Sequence, residues 1–425
     1  MQQTNPFALV LKMTTGLRLS QQKSETRVPG MSRTKGTEYN NGAIIIGGDF
    51  QGLGIAQNLA PLGIPVIIVD PDFCIGRFSR SVRKYYKCPP LTDNGAFVSF
   101  LERLAIEKKL DKWVIYPTSD RAVFILSQFR NQLSKYYLIP TPEWEITKFA
   151  YDKKLTYQLA QQANVPVPMT FFADNIEQLY QLNLDFPVIL KPTIKENYFP
   201  ITKRKAIRVN NQEELVIGYK HMNSIIDASE IMIQELIQGG PNNLYSFCSL
   251  FSGGTAKGKL IAKRQRQHPM EFGNATTFAF TCEVPEIEEF SIRILKQMNY
   301  YGLSEVEFMY DGKDGKYKLL EINARTWGWH TLGAAAGVNF SWLLFADINK
   351  EPVCVNSFEK NVKWVRLLTD VPTVISEVCK GRLSVADYVN SLKGKREFAV
   401  YSGKDPLPFI MEVFLAPYFY FKRGF

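Results

Sequence analysis

Two acidic side chains and an amide stand close together in a segment that has the pattern of a hairpin. Glu307 lies in an apolar run, and Glu321 and Asn323 lie in a second run beyond the turn sequence Asp-Gly-Lys-Asp-Gly. If the turn centres near Asp314, the runs pair and Glu307 falls opposite Glu321. Side chains two residues apart on a strand share a face, so Asn323 joins them. We therefore predict that these three side chains lie together.

This arrangement has a metal-binding interpretation and a plain structural one. Carboxylate and amide oxygens held together repel one another unless a cation separates them, and such hard donors suit Mg²⁺, with Mn²⁺ as an alternative. The plain alternative is an exposed acidic face, which Glu305 also joins by parity. The opposite face of the hairpin is predicted to be apolar and buried, with Val306, Phe308, Leu320 and Ile322.

Basic residues form two clusters within a chain whose net charge is +10. The first is Lys203-Arg204-Lys205 and the second is Lys263-Arg264-Gln-Arg266. Clusters of this kind suit phosphate-bearing ligands, although a solvated basic face explains residues 203–205 about as well. The chain shows neither the aromatic-basic motifs nor the helix-turn-helix pattern of nucleic-acid-binding proteins, so we predict no nucleic-acid partner.

The elements that precede these residues alternate between strand and helix. Ala43-Ile-Ile-Ile46, a helix that ends near Leu62 and a strand over 64–69 form a βαβ unit, and 113–116 is a further buried strand. This alternation predicts a parallel, doubly wound sheet. The glycines between strand and helix, together with Asp70, leave a dinucleotide site open, but a tight turn is the favoured interpretation because they form no G-x-G-x-x-G.

Four motifs in order resemble those of the ATP-grasp superfamily, and the resemblance covers roughly residues 42–353. Each motif is weak singly, but their common order is specific. They are Asp152-Lys153 at the start of a helix, Phe186-Pro-Val-Ile-Leu-Lys191-Pro at the end of a strand, the hinge-like Met232-Ile-Gln-Glu235-Leu-Ile237-Gln-Gly, and Glu307-Phe followed by Glu321-Ile-Asn323-Ala-Arg325.

The resemblance implies a site for ATP. It gives Lys153 and Lys191 to the phosphates, although Lys153 could instead be a solvated lysine at a helix start. Glu235 is expected to hold the ribose, and the backbone at Ile237 the adenine. The metal set implied is Glu307, Glu321 and Asn323.

The reaction implied is attack of a carboxylate on the γ-phosphate and capture of the resulting acylphosphate by an amine. Arg264 and Arg266 should share a strand face, and we predict that at least one of them holds the substrate carboxylate or its acylphosphate. Arg325 is predicted to steady the transferring phosphate. The pattern looks closest to carboxylate-amine ligases of the D-aspartate ligase type. A nucleotide-binding regulator without turnover is the alternative, and an NAD-dependent enzyme is a third interpretation.

One segment departs from the family. Where a glycine-rich phosphate loop is expected, residues 195–208 contain no glycine. The basic side chains of 203–205 are a candidate replacement for the missing backbone amides.

The overall prediction is an α/β protein in which a Rossmann-like parallel sheet domain (42–145) precedes a two-lobed α+β ATP-grasp domain (146–355). Residues 1–41 are predicted to be disordered. Residues 356–425 are predicted to form a helical extension whose apolar tail, 409–421, either packs on the body or lies at a membrane surface.

The six scattered cysteines form no C-x-x-C pair, which favours reduced thiols and a cytoplasmic location. The expected partners are small-molecule carboxylate and amine substrates. The sequence identifies neither of them, nor does it determine an oligomeric state.

Overall fold

The computed structural model of the chain describes residues 39–270, 273 and 275–423. Most of the segment predicted to be disordered lies outside these residues. Its last residues are packed, however: the ring centroids of Tyr39 and Phe345 lie 4.9 Å apart, and Asn41 donates to the carbonyl of Lys112 at 2.7 Å. The prediction of disorder is therefore wrong for residues 39–41.

The first domain is built on a five-stranded parallel sheet in the order β3-β2-β1-β4-β5. Its central strands are apolar and completely buried, as parallel strands covered on both faces must be. The strands are β1 (Ala43–Ile46), β2 (Val66–Asp70), β3 (Lys84–Lys87), β4 (Trp113–Pro117) and β5 (Tyr137–Leu138). The helices are α1 (Phe50–Leu59), α2 (Asn94–Lys108), α3 (Asp120–Gln128), α4 (Arg130–Leu133) and α5 (Trp144–Tyr151).

The glycine-rich turn after β1 is a packing feature. A Cβ at Gly52 would lie 2.1 Å from the carbonyl oxygen of Gly47, so a side chain cannot fit there. Asp70 accepts from the backbone N–H of Gly48 at 2.6 Å and from that of Asp72 at 2.8 Å. The carboxylate of Asp70, at the position where a ribose-binding residue would lie, is thus used to stabilise the local turn. This favours the tight-turn interpretation over a dinucleotide site.

A second, smaller sheet follows, antiparallel and in the order β6-β9-β7-β8. Its strands are β6 (Thr170–Phe171), β7 (Val188–Pro192), β8 (Ile207–Val209) and β9 (Ile231–Glu235). The helices of this region are α6 (Lys153–Gln162), α7 (Ile176–Leu179), α8 (Lys195–Thr202) and α9 (Gln212–Asn223). The glycine-free segment therefore folds largely as α8 rather than as an open loop.

The third sheet has seven strands in the order β14-β13-β10-β11-β12-β15-β16. They are β10 (Leu244–Ser252), β11 (Thr255–His268), β12 (Ala275–Thr281), β13 (Gly302–Asp311), β14 (Lys316–Asn323), β15 (Lys363–Val365) and β16 (Arg396–Phe398). The remaining helices are α10 (Pro285–Gln297), α11 (Thr331–Ala335), α12 (Phe340–Ile348), α13 (Leu367–Cys379), α14 (Val385–Ser391) and α15 (Leu407–Arg423). The extension predicted to be helical thus also adds two strands to this sheet.

One apolar core joins the first domain to the large sheet. Leu53 of α1 and Val114 of β4 belong to the same buried cluster as Leu250 of β10 and Trp364 of β15. The predicted α/β class, with a parallel N-terminal sheet and a multi-stranded second region, is confirmed. Among the helices that the structure describes, none has the length and apolarity required to span a membrane.

Candidate active site

A cleft of about 910 Å³ lies where the three sheets meet. The small sheet contributes β7 and β9, the large sheet contributes the hairpin of β13 and β14, and the first domain contributes the segments that follow β1 and β4. Ligands of open parallel sheets bind beyond the carboxyl ends of strands where the chain order reverses, and β1 and β4 are such neighbours. The cleft has a size typical of ligand sites.

The hairpin pairs in the predicted register. Glu307 is the cross-strand partner of Glu321, and Glu305 is the partner of Asn323. All four side chains line the cleft. The predicted grouping of Glu307, Glu321 and Asn323 on one face is therefore what the structure shows.

The apolar face differs from the prediction at one position. A bulge follows Glu307, so that Phe308 pairs with Leu319. Leu319 is consequently buried in the core with Val306, Phe308 and Ile322, whereas Leu320 lines the cleft. The prediction that Leu320 fills the core is wrong because the bulge changes the alternation of side chains.

The clustered carboxylates are strongly perturbed. Burial and repulsion from Glu307 raise the pKa of Glu305 to about 8, and burial likewise raises the pKa of Glu307. Burial also opposes ionisation of Glu321, but the nearby Lys153 and Lys205 hold its pKa well below the usual value. The face is therefore a concentrated acidic site that cations must stabilise.

The donor set fits a divalent cation that completes its shell elsewhere. Within the described ranges, no three Asp, Glu, His or Cys side chains are arranged to hold a metal by themselves. The predicted donors are the carboxylates of Glu307 and Glu321 and the amide of Asn323, whose Nδ2 donates to Glu307 at 2.9 Å and whose Oδ1 accepts from Arg325 at 3.0 Å. Mg²⁺ is usually coordinated by few protein oxygens, and water and phosphate supply the remaining ligands. The metal assignment stays a prediction.

Two lysines approach the hairpin from different elements. The Nζ of Lys153, at the start of α6, lies 3.3 Å from Glu321 Oε2, and its side chain is 15% exposed. This burial argues against the alternative of a solvated lysine. Lys191, at the end of β7, donates to the hydroxyl of Tyr157 at 3.1 Å. Both lysines line the cleft, as a phosphate-binding role requires.

The hinge-like segment after β9 also lies in the cleft. Glu235 accepts through Oε1 from the backbone N–H of Met169 at 2.9 Å and from Lys318 at 2.7 Å. Lys318 also contacts Asp311 at 2.7 Å, so it ties the hinge to the hairpin. Ile237 is almost fully buried and lines the cleft. The predicted ribose and adenine residues thus both line the cleft.

Of the first basic cluster, only Lys205 lines the cleft. Its Nζ donates to the carbonyl of Gly273 at 3.0 Å, and burial lowers its pKa to about 8. Lys203 and Arg204 are exposed. Lys195, at the start of α8, is a further cation on the wall, which the sequence did not single out.

The two arginines of the second cluster separate. Arg264 lines the cleft and contacts Glu307, while its Nε is buried with no hydrogen-bond partner among the residues described. Arg266 instead donates two hydrogen bonds to the carboxylate of Asp370 in α13, from Nε at 2.8 Å and from Nη2 at 2.9 Å. It also donates to the hydroxyl of Ser391 at 3.0 Å.

The prediction that Arg264 and Arg266 share a face is wrong. The pairing of β11 with β12 has irregularities on both sides of Arg266, and these reverse the expected alternation. Arg266 is 5% exposed and lies outside the cleft lining. Through these hydrogen bonds, Arg266 connects the large sheet to the C-terminal extension.

Arg325 links the hairpin to the first domain. Its Nε and Nη2 donate to the two carboxylate oxygens of Asp120, at 2.6 and 3.3 Å. Burial opposes ionisation of Asp120, but the Arg325 guanidinium lowers its pKa. Asp120 also lines the cleft, and sequence reasoning missed it as a site residue. The available signal was its place just beyond the carboxyl end of β4.

The sequence of the chain matches one protein family and a bacterial ligase. Residues 261–340, which include the hairpin, match the family described as carbamoyl-phosphate synthase L chain, ATP binding domain. The D-aspartate ligase of Enterococcus faecium is 23% identical over 303 residues, which are 66% of this chain and 70% of that protein.

Solved structures share the fold at low identity. The L-amino acid ligase from Bacillus licheniformis matches with a TM-score of 0.57 and 16% identity, over 75% of this chain and 76% of that one. Biotin carboxylase from Campylobacter jejuni matches with a TM-score of 0.61 and 16% identity, over 76% of this chain and 74% of that one. Together with the fold and the ordered motifs, these matches show that the chain resembles proteins of the ATP-grasp superfamily.

Proposed function

We propose that the protein is an ATP- and Mg²⁺-dependent ligase that joins a small-molecule carboxylate to an amine through an acylphosphate. The observation that carries the proposal is the cross-strand pair Glu307 and Glu321, which lines a cleft that Lys153, Lys191 and Lys205 also line. The D-aspartate ligase and L-amino acid ligase among the similar proteins support ligation as the reaction class.

The nucleotide is assigned to the wall formed by the small sheet and the hinge. Lys153 and Lys191 neutralise its phosphate oxygens, since ammonium groups in a partly desolvated cleft interact strongly with anions. The carboxylate of Glu235 accepts from the ribose hydroxyls, and the backbone at Ile237 faces the adenine.

The metal is assigned to Glu307, Glu321 and Asn323. A Mg²⁺ ion held there supplies neutralisation of the negative charge on the phosphate oxygens. Arg264 contacts Glu307 and Lys153 contacts Glu321, so both cations lie at the metal site, where they would also contact anionic substrate groups.

The reaction proceeds in two balanced steps. A carboxylate oxygen of the first substrate forms a bond to the γ-phosphorus, the bond to the β,γ-bridging oxygen breaks, and ADP leaves. The amine nitrogen of the second substrate then bonds to the acyl carbon, inorganic phosphate leaves, and the nitrogen loses a proton. Arg264, which lines the cleft beside Glu307, holds the carboxylate or its acylphosphate. Arg325 steadies the transferring phosphate.

The experiment that tests the proposal is a screen of amino acids in pairs for the release of ADP and phosphate from Mg·ATP. A ligase releases ADP through repeated turnovers only when both substrates are present, and the amide product appears by mass spectrometry in equal amount. A nucleotide-binding regulator of the same fold would bind ATP in a calorimeter and show no stimulated release with any pair. That outcome would reject the ligase assignment and favour the regulator.

A further inference from the structure

The last helix, α15, buries the charged residue Glu412 and exposes apolar side chains, which is the reverse of an ordinary surface helix. Its only charged residue between positions 407 and 419 is Glu412, which is buried and accepts from Arg366 at 3.2 Å. The residues of the same span that face solvent are all apolar or aromatic: Leu407, Ile410, Val413, Phe414, Pro417 and Tyr418. We call these six residues the apolar stripe.

The spacing of the apolar stripe makes it one continuous face. Positions 407, 410, 414 and 418 recur at intervals of three and four residues, the helical period. Phe414, at the centre, is 74% exposed. Surface helices turn polar residues outward, and a contiguous exposed apolar face marks a surface that another phase or molecule covers.

A basic segment lies beside this helix. The short turn Ile75–Phe78 packs against α15, and Ser79 directly after it is hydrogen-bonded to Asp405 just before the helix. The segment that contains this turn has no acidic residue from position 73 to position 92. Its exposed basic residues, which we call the basic strip, are Arg77, Arg80, Arg83, Lys84 and Lys87.

We propose that α15 is an interfacial helix that docks on an anionic lipid surface. Membrane-surface helices bury an apolar face at the boundary of the acyl chains, while nearby cations contact anionic headgroups. The apolar stripe supplies the first contact and the basic strip supplies the second. Phe73, also exposed, adds a further apolar group beside the basic strip, because its ring centroid lies 4.3 Å from the guanidinium carbon of Arg77.

Charge argues against a second copy of the chain as the occupant. A two-fold pairing of α15 with itself brings the same surface from each subunit together, and with it two copies of the basic strip. Like charges at such an interface repel one another. An anionic bilayer offers both the apolar phase and the opposite charge.

The test is flotation of the full chain with vesicles of phosphatidylcholine alone and of phosphatidylcholine mixed with phosphatidylglycerol. The chain should float with the mixed vesicles and not with phosphatidylcholine alone, and added salt should weaken the binding. Phe414→Asp should lower the bound fraction at least about tenfold. The double variant Arg80→Glu/Arg83→Glu should do the same.

Matched controls separate a specific surface from general stickiness. Ile106, on α2, is 64% exposed, and Ile106→Asp should leave binding unchanged. Arg103→Glu/Lys108→Glu removes exposed charges elsewhere and should also have little effect. Thermal unfolding of each variant checks that the fold is intact. The proposal is overturned if the chain does not bind mixed vesicles, if all variants bind equally, or if light scattering shows a dimer that Phe414→Asp dissolves.

Discussion

Glu307 and Glu321 face one another across the β13–β14 hairpin, and each carboxylate has a basic partner of its own. Arg264 contacts Glu307, and Lys153 lies 3.3 Å from Glu321. Like charges directly opposite each other destabilise a sheet. The pair is therefore a local cost to stability, which the proposed metal ion would offset.

Loss of one metal donor should abolish catalysis and spare the fold. We expect Glu321→Gln and Asn323→Ala each to remove Mg·ATP-dependent ADP formation, because each leaves one oxygen donor fewer for the ion. ADP formation at ordinary and at high Mg²⁺ concentrations measures the effect, and thermal unfolding checks the fold. Glu289→Gln, on the exposed side of α10, is the control. Near-normal turnover of Glu321→Gln at ordinary Mg²⁺ would reject the metal assignment.

Loss of the charge on Lys205 at alkaline pH should lower kcat/KM for ATP. Burial lowers the pKa of Lys205 to about 8, so the cation is present below that pH and lost above it. We expect kcat/KM for ATP to fall as the pH rises through about 8, since this ratio reports the free enzyme. At saturating ATP, kcat should depend less on pH because bound phosphates stabilise the ammonium.

Replacing Lys205 with arginine tests whether this residue causes the alkaline decline in kcat/KM. Lys205→Arg keeps its charge at alkaline pH and should remove the decline, whereas Lys203→Arg, at an exposed position, should not. An unchanged decline in Lys205→Arg would assign the titration to another group.

The hairpin could be predicted from sequence because its signals are local. A turn sequence and the two-residue period of strands suffice to place Glu307 opposite Glu321. The same reasoning failed at Leu320 and Arg266, where a bulge changes the period of one strand. Apolar alternation does not reveal a bulge, since the extra residue depends on how the neighbouring strand pairs.

Other features depend on partners far away in the chain. Asp120 belongs to the site because Arg325, 205 residues later, reaches it from the hairpin. Strands β15 and β16 are short and pair at the edge of a sheet whose other strands lie earlier in the sequence. No local pattern carries these pairings, so the extension was predicted as helix alone.

Substitution of Arg264 should impair catalysis, whereas substitution of Arg266 should impair stability. Arg264→Lys removes a planar fork from the cleft, and we expect ligation to fall by about 10²-fold while ATP affinity persists. Arg266→Lys breaks the two-pronged contact with Asp370, and we expect the free energy of unfolding to fall by about 2 kcal/mol. Ligation by the folded fraction of Arg266→Lys should remain close to normal.

Each variant thus serves as the control for the other. Ligation and ATP binding are assayed separately, and unfolding in denaturant reports stability. A loss of ligation in Arg266→Lys at unchanged stability would return Arg266 to the acceptor site, against its observed contacts.

His330 should make the protein less stable in mild acid. Its Nδ1 lies 3.0 Å from the carbonyl oxygen of Trp327, its Nε2 is buried with no hydrogen-bond partner in the described structure, and burial lowers its pKa to about 4. The folded protein therefore keeps this imidazole neutral where the unfolded chain, with an ordinary pKa near 6.5, binds a proton. The free energy of unfolding is highest above the unfolded pKa and falls as the pH drops towards 4.

Between about pH 7 and about pH 5 the contribution of this one group amounts to about 2 kcal/mol. Other groups titrate over the same range, so the informative quantity is the difference between variants. His330→Gln cannot take up the proton, and its free energy of unfolding should fall less steeply over that range than that of the parent chain. His221→Gln, at an exposed position on α9, should keep the parent slope. Denaturant unfolding at several pH values measures these slopes, and equal slopes for His330→Gln and the parent would show that His330 does not carry the effect.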